Sequence, residues 1–486
     1  MDAPHGTLIL PAATRRALWE RLVEGLERYA REVDDAPVAP RLDPERLRAL
    51  LRRFDFVAPL EPLAALDFAL AGLSEHQVHT AHARYFGLFN PAPTTMGIVA
   101  DAVVAAFNPQ LAAWSHSPLA AEIERHLLLA FGERLGYSPG STEGTFASGG
   151  AEANHTALCC ALAAAFPEHG ERGLRALAGE PVLYASAEGH HSVLKAARLC
   201  GLGTAAVREI EVDDELRLRP LALARRIAED RAAGRLPFLV VATAGTTNAG
   251  TVDRLGEIAE VAAREGLWLH VDAAWGGAAA LVPELRPVLA GIERADSITL
   301  DAHKWLSVPM AAGMLLVRHR GALERAFRVA NAYMPKEAQE LGLADPYASS
   351  MQWSRRFIGL KLFLSLAVAG WDGYAAALRH QTAMGDLLRA RLAESGWRVV
   401  NRTPLPTVCF DDPAVPAALA ATGCAAVARR VVDSGKAWIS TTRVGPGRAV
   451  LRACITNLRT GPDDVEALIQ ALDQARAAAR AAGELS

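Results

Sequence analysis

Five short apolar runs alternate with helical stretches between residues 121 and 318, and this alternation restricts the possible fold more than any other feature of the chain. Strands of a parallel sheet are apolar on both faces because helices cover both sides. The alternation therefore predicts parallel βαβ units and an α/β fold. The predicted strands are residues 181–186, 237–243, 267–273, 297–300 and 313–317.

The regions on either side of this alternation have different patterns. Residues 14–73 contain amphipathic helices separated by Pro-rich links, which predicts an N-terminal helical arm. A long helical stretch, residues 353–394, precedes a mixed region in which Gly445-Pro446-Gly447 predicts a hairpin turn. The strands predicted there are residues 397–400, 407–410, 437–442 and 449–456.

From these patterns we expect a chain of three parts. They are an arm at residues 1–85, a large domain at 86–370 and a small α+β domain at 371–486. Within the large domain, residues 331–350 lack a regular period, which is typical of a functional loop.

The composition excludes several classes of function. The 486 residues carry a formal net charge of -3, and Lys and Arg are scattered without a basic run, so we expect no nucleic-acid partner. No apolar stretch approaches the ~20 residues that span a bilayer, and the first eleven residues lack a secretory pattern. We therefore expect no membrane partner.

The six cysteines show no CxxC pair and no disulfide framework, which favours a reducing cytoplasm. Cys159 and Cys160 are adjacent on a helical stretch, so small buried side chains are a better interpretation than a metal site. We predict no metal.

Lys304 lies in the segment Asp301-Ala302-His303-Lys304-Trp305, directly after the predicted strand 297–300. The carboxyl ends of parallel strands are where α/β sheets bind ligands. Burial and nearby cations lower the pKa of a lysine there, and the free amine can then condense with an aldehyde. The alternative is a solvated surface lysine.

Asp272 ends another apolar run, residues 267–273. A buried carboxylate is costly without a cationic partner, and a protonated pyridine nitrogen is one such partner. An ionised Asp272 in that position makes the ring an electron sink. Ala273 and Ala274 leave room for a flat ring, although the acid could instead pair with an arginine or cap a helix.

Gly149 and Gly150 belong to the run Ser148-Gly149-Gly150-Ala151, which leads into a helical stretch. Glycines allow backbone amides to approach a phosphate, and a helix N-terminus favours an anion. A simple helix-capping turn is the alternative. The run matches neither the dinucleotide nor the Walker pattern.

His190 and His191 follow the predicted strand 181–186. An imidazole can stack on a pyridine ring or meet a substrate carboxylate. Adjacent histidines point in different directions, which argues against a metal site. The run Ala244-Gly245-Thr246-Thr247 ends the next strand, so four strand ends are expected to meet in one crevice.

Taken together, these motifs resemble the group II pyridoxal 5′-phosphate (PLP) decarboxylases, the family of aromatic L-amino acid, histidine, glutamate and 2,4-diaminobutyrate decarboxylases. The resemblance runs from about His79 to the C-terminus, in the order of the family's motifs. It implies the aspartate-aminotransferase-like fold type I, with a mainly parallel seven-stranded sheet and a small α+β C-terminal domain. It also implies a homodimer with active sites at the interface.

The resemblance implies a role for each matching residue. Lys304 would hold PLP covalently, Asp272 would bind the pyridine nitrogen and His190 would stack on the ring. The other implied cofactor contacts are phosphate amides from Gly149 and Gly150, phosphate-side contacts from Asp301 and His303, Ala274 on the ring face opposite His190, and Thr247.

Further residues are implied for the substrate. A loop tyrosine would return a proton to the substrate carbon, with Tyr333 preferred and Tyr347 in reserve. Trp114, Tyr85 and Phe89 resemble the walls of the side-chain pocket, although Trp114 could equally belong to the core.

The implied reaction is decarboxylation of an L-amino acid to its amine and carbon dioxide, with an aromatic amino acid as a candidate substrate. Aminotransfer, aldehyde lysis and oxidative aldehyde synthesis use the same lysine, acid and phosphate cradle and remain alternatives, because fold cannot separate them. A non-catalytic binding scaffold is a more remote one.

Overall fold

The computed structural model describes residues 8–41, 43–329, 334–335 and 337–485. Its centre is a sheet of seven strands in the order β1-β7-β6-β5-β4-β2-β3. The strands are β1 Glu143–Ala147, β2 Pro181–Ser186, β3 Val207–Ile210, β4 Leu236–Thr243, β5 Trp268–Asp272, β6 Ser297–Asp301 and β7 Gly313–Val317.

The sheet is mainly parallel. Strands β3, β2, β4, β5 and β6 pair in parallel, and β7 runs antiparallel to both β6 and β1. The predicted α/β class and all five predicted strands are confirmed. Two strands were missed, because the Gly- and Thr-containing β1 and the charged β3 lack a continuous apolar run.

Helices cover the sheet and form the arm. The arm contains α1 Ala12–Glu32, α2 Pro44–Leu51 and α3 Pro62–Glu75. The helices around the large sheet are α4 Thr95–Phe107, α5 Pro118–Arg134, α6 Gly150–Ala165, α7 His169–Arg172, α8 Ser192–Leu199, α9 Pro220–Ala232, α10 Leu255–Glu265, α11 Ala322–Phe327 and α12 Glu337–Glu340.

A long helix, α13 Leu360–Glu394, joins the large sheet to the C-terminal part and is kinked at Gly370, where φ is 65°. The predicted start at residue 353 was wrong by one to two turns, because irregular backbone precedes the helix. The second sheet has the order β10-β11-β9-β8. Its elements are β8 Arg398–Val399, β9 Thr407–Asp411, α14 Ala420–Asp433, β10 Ser440–Val444, β11 Arg448–Cys454 and α15 Pro462–Ala481.

Each sheet has its own apolar core. The larger core surrounds β4, β5 and β6, and a second core packs α14 and α15 against the small sheet. The turn predicted at residues 445–447 joins β10 to β11. Among the described helices, none combines the length and apolar character that crossing a bilayer requires.

Candidate active site

The carboxyl ends of the parallel strands meet at one edge of the large sheet. The predicted cofactor residues lie at or shortly after these strand ends. Asp272 ends β5 and Asp301 ends the neighbouring β6. Helix α6 begins at Gly150 beside Asp301, since the Gly150 amide donates to Asp301 Oδ2 at 3.0 Å. Residues that are more than a hundred positions apart in the chain are thereby brought together.

Asp272 is 5% exposed and accepts two hydrogen bonds. Asn154 Nδ2 donates to its Oδ2 at 2.8 Å, and the Ala274 amide donates to its Oδ1 at 3.1 Å. No lysine or arginine of the described ranges forms an ion pair with this carboxylate. The acid is therefore stabilised by neutral donors and remains available to a cation that a ligand brings.

A buried hydrogen-bond chain orients Asn154. Its Nδ2 also donates to Ser192 Oγ at 2.8 Å, so its Oδ1 is the acceptor for His270 Nε2 at 3.0 Å. His270 Nδ1 lies 2.9 Å from Ser297 Oγ, and burial lowers the pKa of His270 so that the ring stays neutral. With Nε2 as the donor, Nδ1 accepts from Ser297, and the chain fixes which way the Asn154 amide faces.

The same chain continues to His190. Its Nδ1 lies 2.8 Å from Ser192 Oγ and also accepts from the Ser192 amide, which leaves Nε2 as the N–H donor of a neutral ring. Burial lowers the pKa of His190, while the charge of Asp272 opposes this shift and that of Lys304 adds to it. The His190 ring therefore lies close enough to both residues to sense their charges.

Lys304 occupies the turn after β6. Its Nζ lies 3.0 Å from Asp301 Oδ2, and the lysine side chain is 25% exposed. Asp301 Oδ2 thus receives both this ammonium and the Gly150 amide, and Asp301 Oδ1 has no hydrogen-bond partner among the described residues. The lysine is held at the edge of the crevice without being buried in the protein.

The glycines at the start of α6 leave little space for side chains. A Cβ at Gly150 would lie 2.9 Å from Asp301 Oδ2 and 3.2 Å from Ala274 Cβ. A Cβ at Gly149 would lie 3.3 Å from His303 Cε1. The close approach of backbone, acid and imidazole at this point therefore depends on glycine.

His303 faces the same cradle. Its Nδ1 accepts from the Ala312 amide at 3.0 Å, and its Nε2 lies 3.8 Å from Asp301 Oδ2. Burial lowers the pKa of His303, which favours the neutral ring with its proton on Nε2. An N–H donor is thereby directed toward the region of Asp301 and Gly149.

The remaining predicted cofactor residues lie on the adjoining strand ends. The Ala274 carbonyl accepts from the Asp301 amide at 2.8 Å and so links the ends of β5 and β6. The carbonyl of Thr247, in the turn after β4, accepts from Arg452 of the small sheet.

Two of the predicted pocket residues pack in the protein interior. Phe89 is buried and stacks on Trp275 with 4.6 Å between ring centroids. Tyr85 is also buried, and its hydroxyl donates to Asn90 Oδ1 at 3.1 Å. Phe89 therefore contacts Trp275, the residue that follows Ala274 in the chain.

Trp114 lies in a different place from the strand-end residues. It lines a cavity of about 690 Å³ together with Tyr347, Glu124 and Arg355. Lys304, Asp272 and His190 are not among the residues around this cavity. Tyr333 lies outside the described residues, and Tyr347, the reserve proton donor, is buried at the cavity with its ring stacked on Trp353.

Three site residues were not assigned a role from the sequence: Asn154, Ser192 and His270. All three are buried polar residues within otherwise apolar elements, and this property was their detectable signal. Apart from the contact between Ser192 and His190, two positions apart, their partners lie 27 to 118 positions away in the chain, so these hydrogen bonds could not be predicted.

These features fit the cofactor that the sequence resemblance implies. Asp272 offers a buried negative charge to a protonated ring nitrogen, and Lys304 offers an amine. The glycine cradle and His303 offer N–H groups and space near an anion. Asp301, whose carboxylate already receives the Gly150 amide, adds a negative charge on that side.

Comparisons with known proteins agree with this geometry. A family model described as the pyridoxal-dependent decarboxylase conserved domain matches residues 52–412. The chain is 32% identical over 466 residues to the aromatic-L-amino-acid decarboxylase of Bacillus atrophaeus, covering 94% of each chain. It is 31% identical over 406 residues to the L-2,4-diaminobutyrate decarboxylase of Rhizobium meliloti, covering 82% of this chain and 79% of the relative.

A solved structure shows the same fold. The crystal structure of Oryza sativa TDC with PLP and tryptamine has a TM-score of 0.91 and 27% sequence identity to this chain. The similarity covers 96% of this chain and 99% of the rice chain. The predicted fold type I architecture is confirmed.

Proposed function

The chain belongs to the pyridoxal-dependent decarboxylases, which use PLP, and from this premise we propose that it converts an aromatic L-amino acid to its amine and carbon dioxide. The observation that carries the reaction is the meeting of Lys304, Asp272 and His190 at one sheet edge. The aromatic substrate is supported by the relative from Bacillus atrophaeus, whose name states that class and which matches over nearly the whole length.

Each strand-end residue has a task in this reaction. When bound, PLP accepts the electron pair that the departing carboxylate leaves behind. Asp272, which accepts from Asn154 and the Ala274 amide, would hold a proton on the ring nitrogen. Lys304 would attach the cofactor and release the product, and His190 would contact the ring and offer its Nε2–H to the substrate carboxylate.

The phosphate side is assigned to the glycine cradle. Gly149 and His303 provide the N–H groups and Gly150 provides space, since its own amide donates to Asp301 Oδ2. Asp301 positions the Lys304 ammonium at 3.0 Å. Thr247 and Ala274 complete the cofactor contacts in this proposal. Tyr333 is proposed to return a proton to the substrate carbon, with Tyr347 in reserve, and loop closure over residues 331–350 would exclude water.

We also propose a homodimer with active sites at the subunit interface. Helix α1 contains no buried residue, and helix α4 exposes Ile98, Val99, Val103 and Phe107. Apolar side chains on neighbouring positions of a helix mark a surface that a partner covers. In the dimer, Trp114, Tyr85 and Phe89 are proposed to shape the side-chain pocket.

The same proposal divides the chain into an arm at 1–85, a large domain at 86–370 and a small domain at 371–486. The kink at Gly370 and the separate apolar cores support this division. A cytoplasmic location is proposed because all six cysteines are free thiols.

An assay of carbon dioxide release over the L-amino acids, with PLP supplied, tests the function. We expect stoichiometric amine and carbon dioxide from an aromatic amino acid, and slower turnover of 2,4-diaminobutyrate and glutamate. Consumption of the amino acid that requires a keto acid and releases no carbon dioxide would instead indicate aminotransfer, and an aldehyde product formed with oxygen consumption would indicate aldehyde synthesis. Turnover of none of these amino acids would contradict the proposal.

A further inference from the structure

A cluster of sulfur and nitrogen ligands lies on the side of α6 away from the active site. His155 and Cys159 are one helical turn apart on α6, and Cys200 directly follows α8. Cys159 Sγ lies 3.8 Å from His155 Nε2 and 3.8 Å from Cys200 Sγ. All three ligand atoms lie within 4.8 Å of one another.

The expectation that the adjacent cysteines are both buried small side chains holds for only one of them. Cys160 is buried in an apolar cluster with Leu315 and Val317. Cys159 and Cys200 are partly exposed, because Cys159 faces the end of α8 instead of the sheet. Adjacent positions on a helix point about 100° apart, so the two thiols have different surroundings.

The spacing matches tetrahedral zinc coordination. Zn–S bonds of about 2.3 Å and Zn–N bonds of about 2.05 Å at tetrahedral angles place two sulfurs about 3.8 Å apart and a sulfur about 3.6 Å from a nitrogen. The observed separations, 3.8 Å for both pairs, differ from these values by a few tenths of an ångström at most. The third separation, between His155 and Cys200, is within 4.8 Å, so side-chain adjustments of about an ångström or less place the three atoms around one ion.

We propose that His155, Cys159 and Cys200 bind one thiophilic divalent cation of the zinc type, with solvent at the fourth position. Two sulfurs and an imidazole are soft and borderline ligands, which select zinc over magnesium or calcium. The partial exposure of both thiols gives the ion a path to the site. It also leaves room for the fourth ligand.

Zinc binds cysteine as the thiolate, so binding of the cation releases to solvent the protons that the Cys159 and Cys200 thiols carry.

The ion would connect two helices that begin at the active site. Helix α6 follows the Gly149-Gly150 cradle and carries Asn154, and α8 begins at Ser192 beside His190. A bond between Cys159 and Cys200 through the ion holds α6 and α8 together at a distance from the cofactor. We therefore expect the ion to stabilise the holoenzyme, by an amount that rises with the logarithm of its free concentration above Kd, without taking part in turnover.

Cobalt(II) titration of the PLP-loaded, fully reduced enzyme without a histidine tag tests the proposal. We expect a cobalt absorption band in the red, where PLP does not absorb, which saturates at one ion per chain and disappears when zinc is added. Cys159→Ser and Cys200→Ser should each weaken binding about 100-fold or more. Cys160→Ala, one position along the same helix, is the matched control and should retain the band.

Two further measurements distinguish loss of the ion site from loss of folding. Circular dichroism of each variant verifies that it is folded, and zinc should raise the melting temperature of the wild type and of Cys160→Ala only. The proposal is overturned if the reduced protein gives no red band, or if the band persists in both serine variants. It is also overturned if the only reaction of the pair is a Cys159–Cys200 disulfide formed in air.

Discussion

The edge of the large sheet and the N-terminal arm differ in whether their side chains find partners within the same chain. At the sheet edge, Asp272, Asn154 and Ser192 are buried and hydrogen-bonded to residues of the same chain. In the arm and on α4, large apolar side chains such as Trp19 and Phe107 are exposed.

This difference indicates which parts of the enzyme one chain completes by itself. Buried polar groups need partners of defined geometry, and these partners are all present within the chain at the sheet edge. An exposed apolar surface needs only to be covered, and a second copy of the chain can do this. The hydrogen-bonded residues of the sheet edge are therefore organised within one chain, while the exposed apolar surface is where we propose that a second chain binds.

The largest effect is expected at the sheet edge, from Lys304→Ala. Loss of the amine should reduce turnover by about 10³-fold or more, because nothing else in the described site can attach the cofactor and release the product. Mass spectrometry after borohydride treatment should show no cofactor linked to the protein. Lys195→Ala, an exposed lysine on α8, is the control and should retain turnover and the link. Retention of both properties in Lys304→Ala would refute the assignment.

Asp272→Asn should have the next largest effect. The exchange keeps the size of the side chain but removes the charge that holds a proton on the ring nitrogen, so we expect kcat to fall about 10²- to 10³-fold with the cofactor still bound. Asp253→Asn is a matched control, since this buried acid accepts the amides of Leu218 and Thr243 at 2.8 Å. Its turnover per folded molecule should change little. Near-normal activity of Asp272→Asn would contradict the electron-sink argument.

Charges placed on α4 test whether its exposed apolar side chains bind a second chain. Val103→Glu combined with Phe107→Glu should convert the proposed dimer to monomers, because two carboxylates would have to be desolvated at the proposed interface. Light scattering gives the mass, and activity should fall about tenfold or more with the monomer. Leu221→Glu is the control, as Leu221 is 87% exposed on α9 and Phe107 is 83% exposed. An intact dimer in the double variant would remove α4 from the interface.

A smaller effect is expected from Asn154→Ala. It leaves Asp272 Oδ2 without its side-chain donor, and loss of one buried hydrogen bond to a charged group costs about 1–3 kcal/mol. We expect kcat to fall about tenfold. We also expect a shift in the pH dependence of the bound cofactor's absorbance, which reports protonation of the ring nitrogen. Asn248→Ala, whose amide contacts Glu188, should leave that spectrum unchanged. An unchanged spectrum in Asn154→Ala would limit Asn154 to a structural role.

The smallest effect concerns pH. Burial lowers the pKa of His190 below its ordinary value of about 6.5, so its neutral form persists under mildly acidic conditions. Activity should therefore hold at about pH 6.5 and decline only as the pH falls through the lowered pKa. The unfolded chain takes up the proton first, so the contribution of His190 to stability also declines below about pH 6.5.

The pH–rate profile of His190→Gln checks this interpretation. The variant should lose the part of the acidic decline that is due to His190, whereas His319→Gln, at an exposed histidine, should keep the wild-type profile. An acidic decline centred above pH 6.5 in the wild type would contradict the direction of the shift.

Much of the fold was predictable because its pattern is local. Apolar runs predicted five of the seven strands of the large sheet, and the Gly445-Pro446-Gly447 turn predicted the hairpin of the small sheet. Strand β3 carries Arg208 and Glu209 at the edge of the sheet, so its sequence lacks the apolar run that indicates a buried strand. The position of a strand in the sheet determines this pattern, and it is known only from the tertiary structure.

The sequence by itself determined the α/β class and the family, and it predicted the residues of the site, since Lys304, Asp272 and the glycine cradle stand in recognisable local motifs. The tertiary structure decided which neighbours these residues have. It oriented Asn154 through His270, paired Lys304 with Asp301, and placed Cys159 against Cys200. The physical reason is that hydrogen bonds and ion pairs act over a few ångströms in space, and only the packing of helices on the sheet brings distant parts of the chain that close.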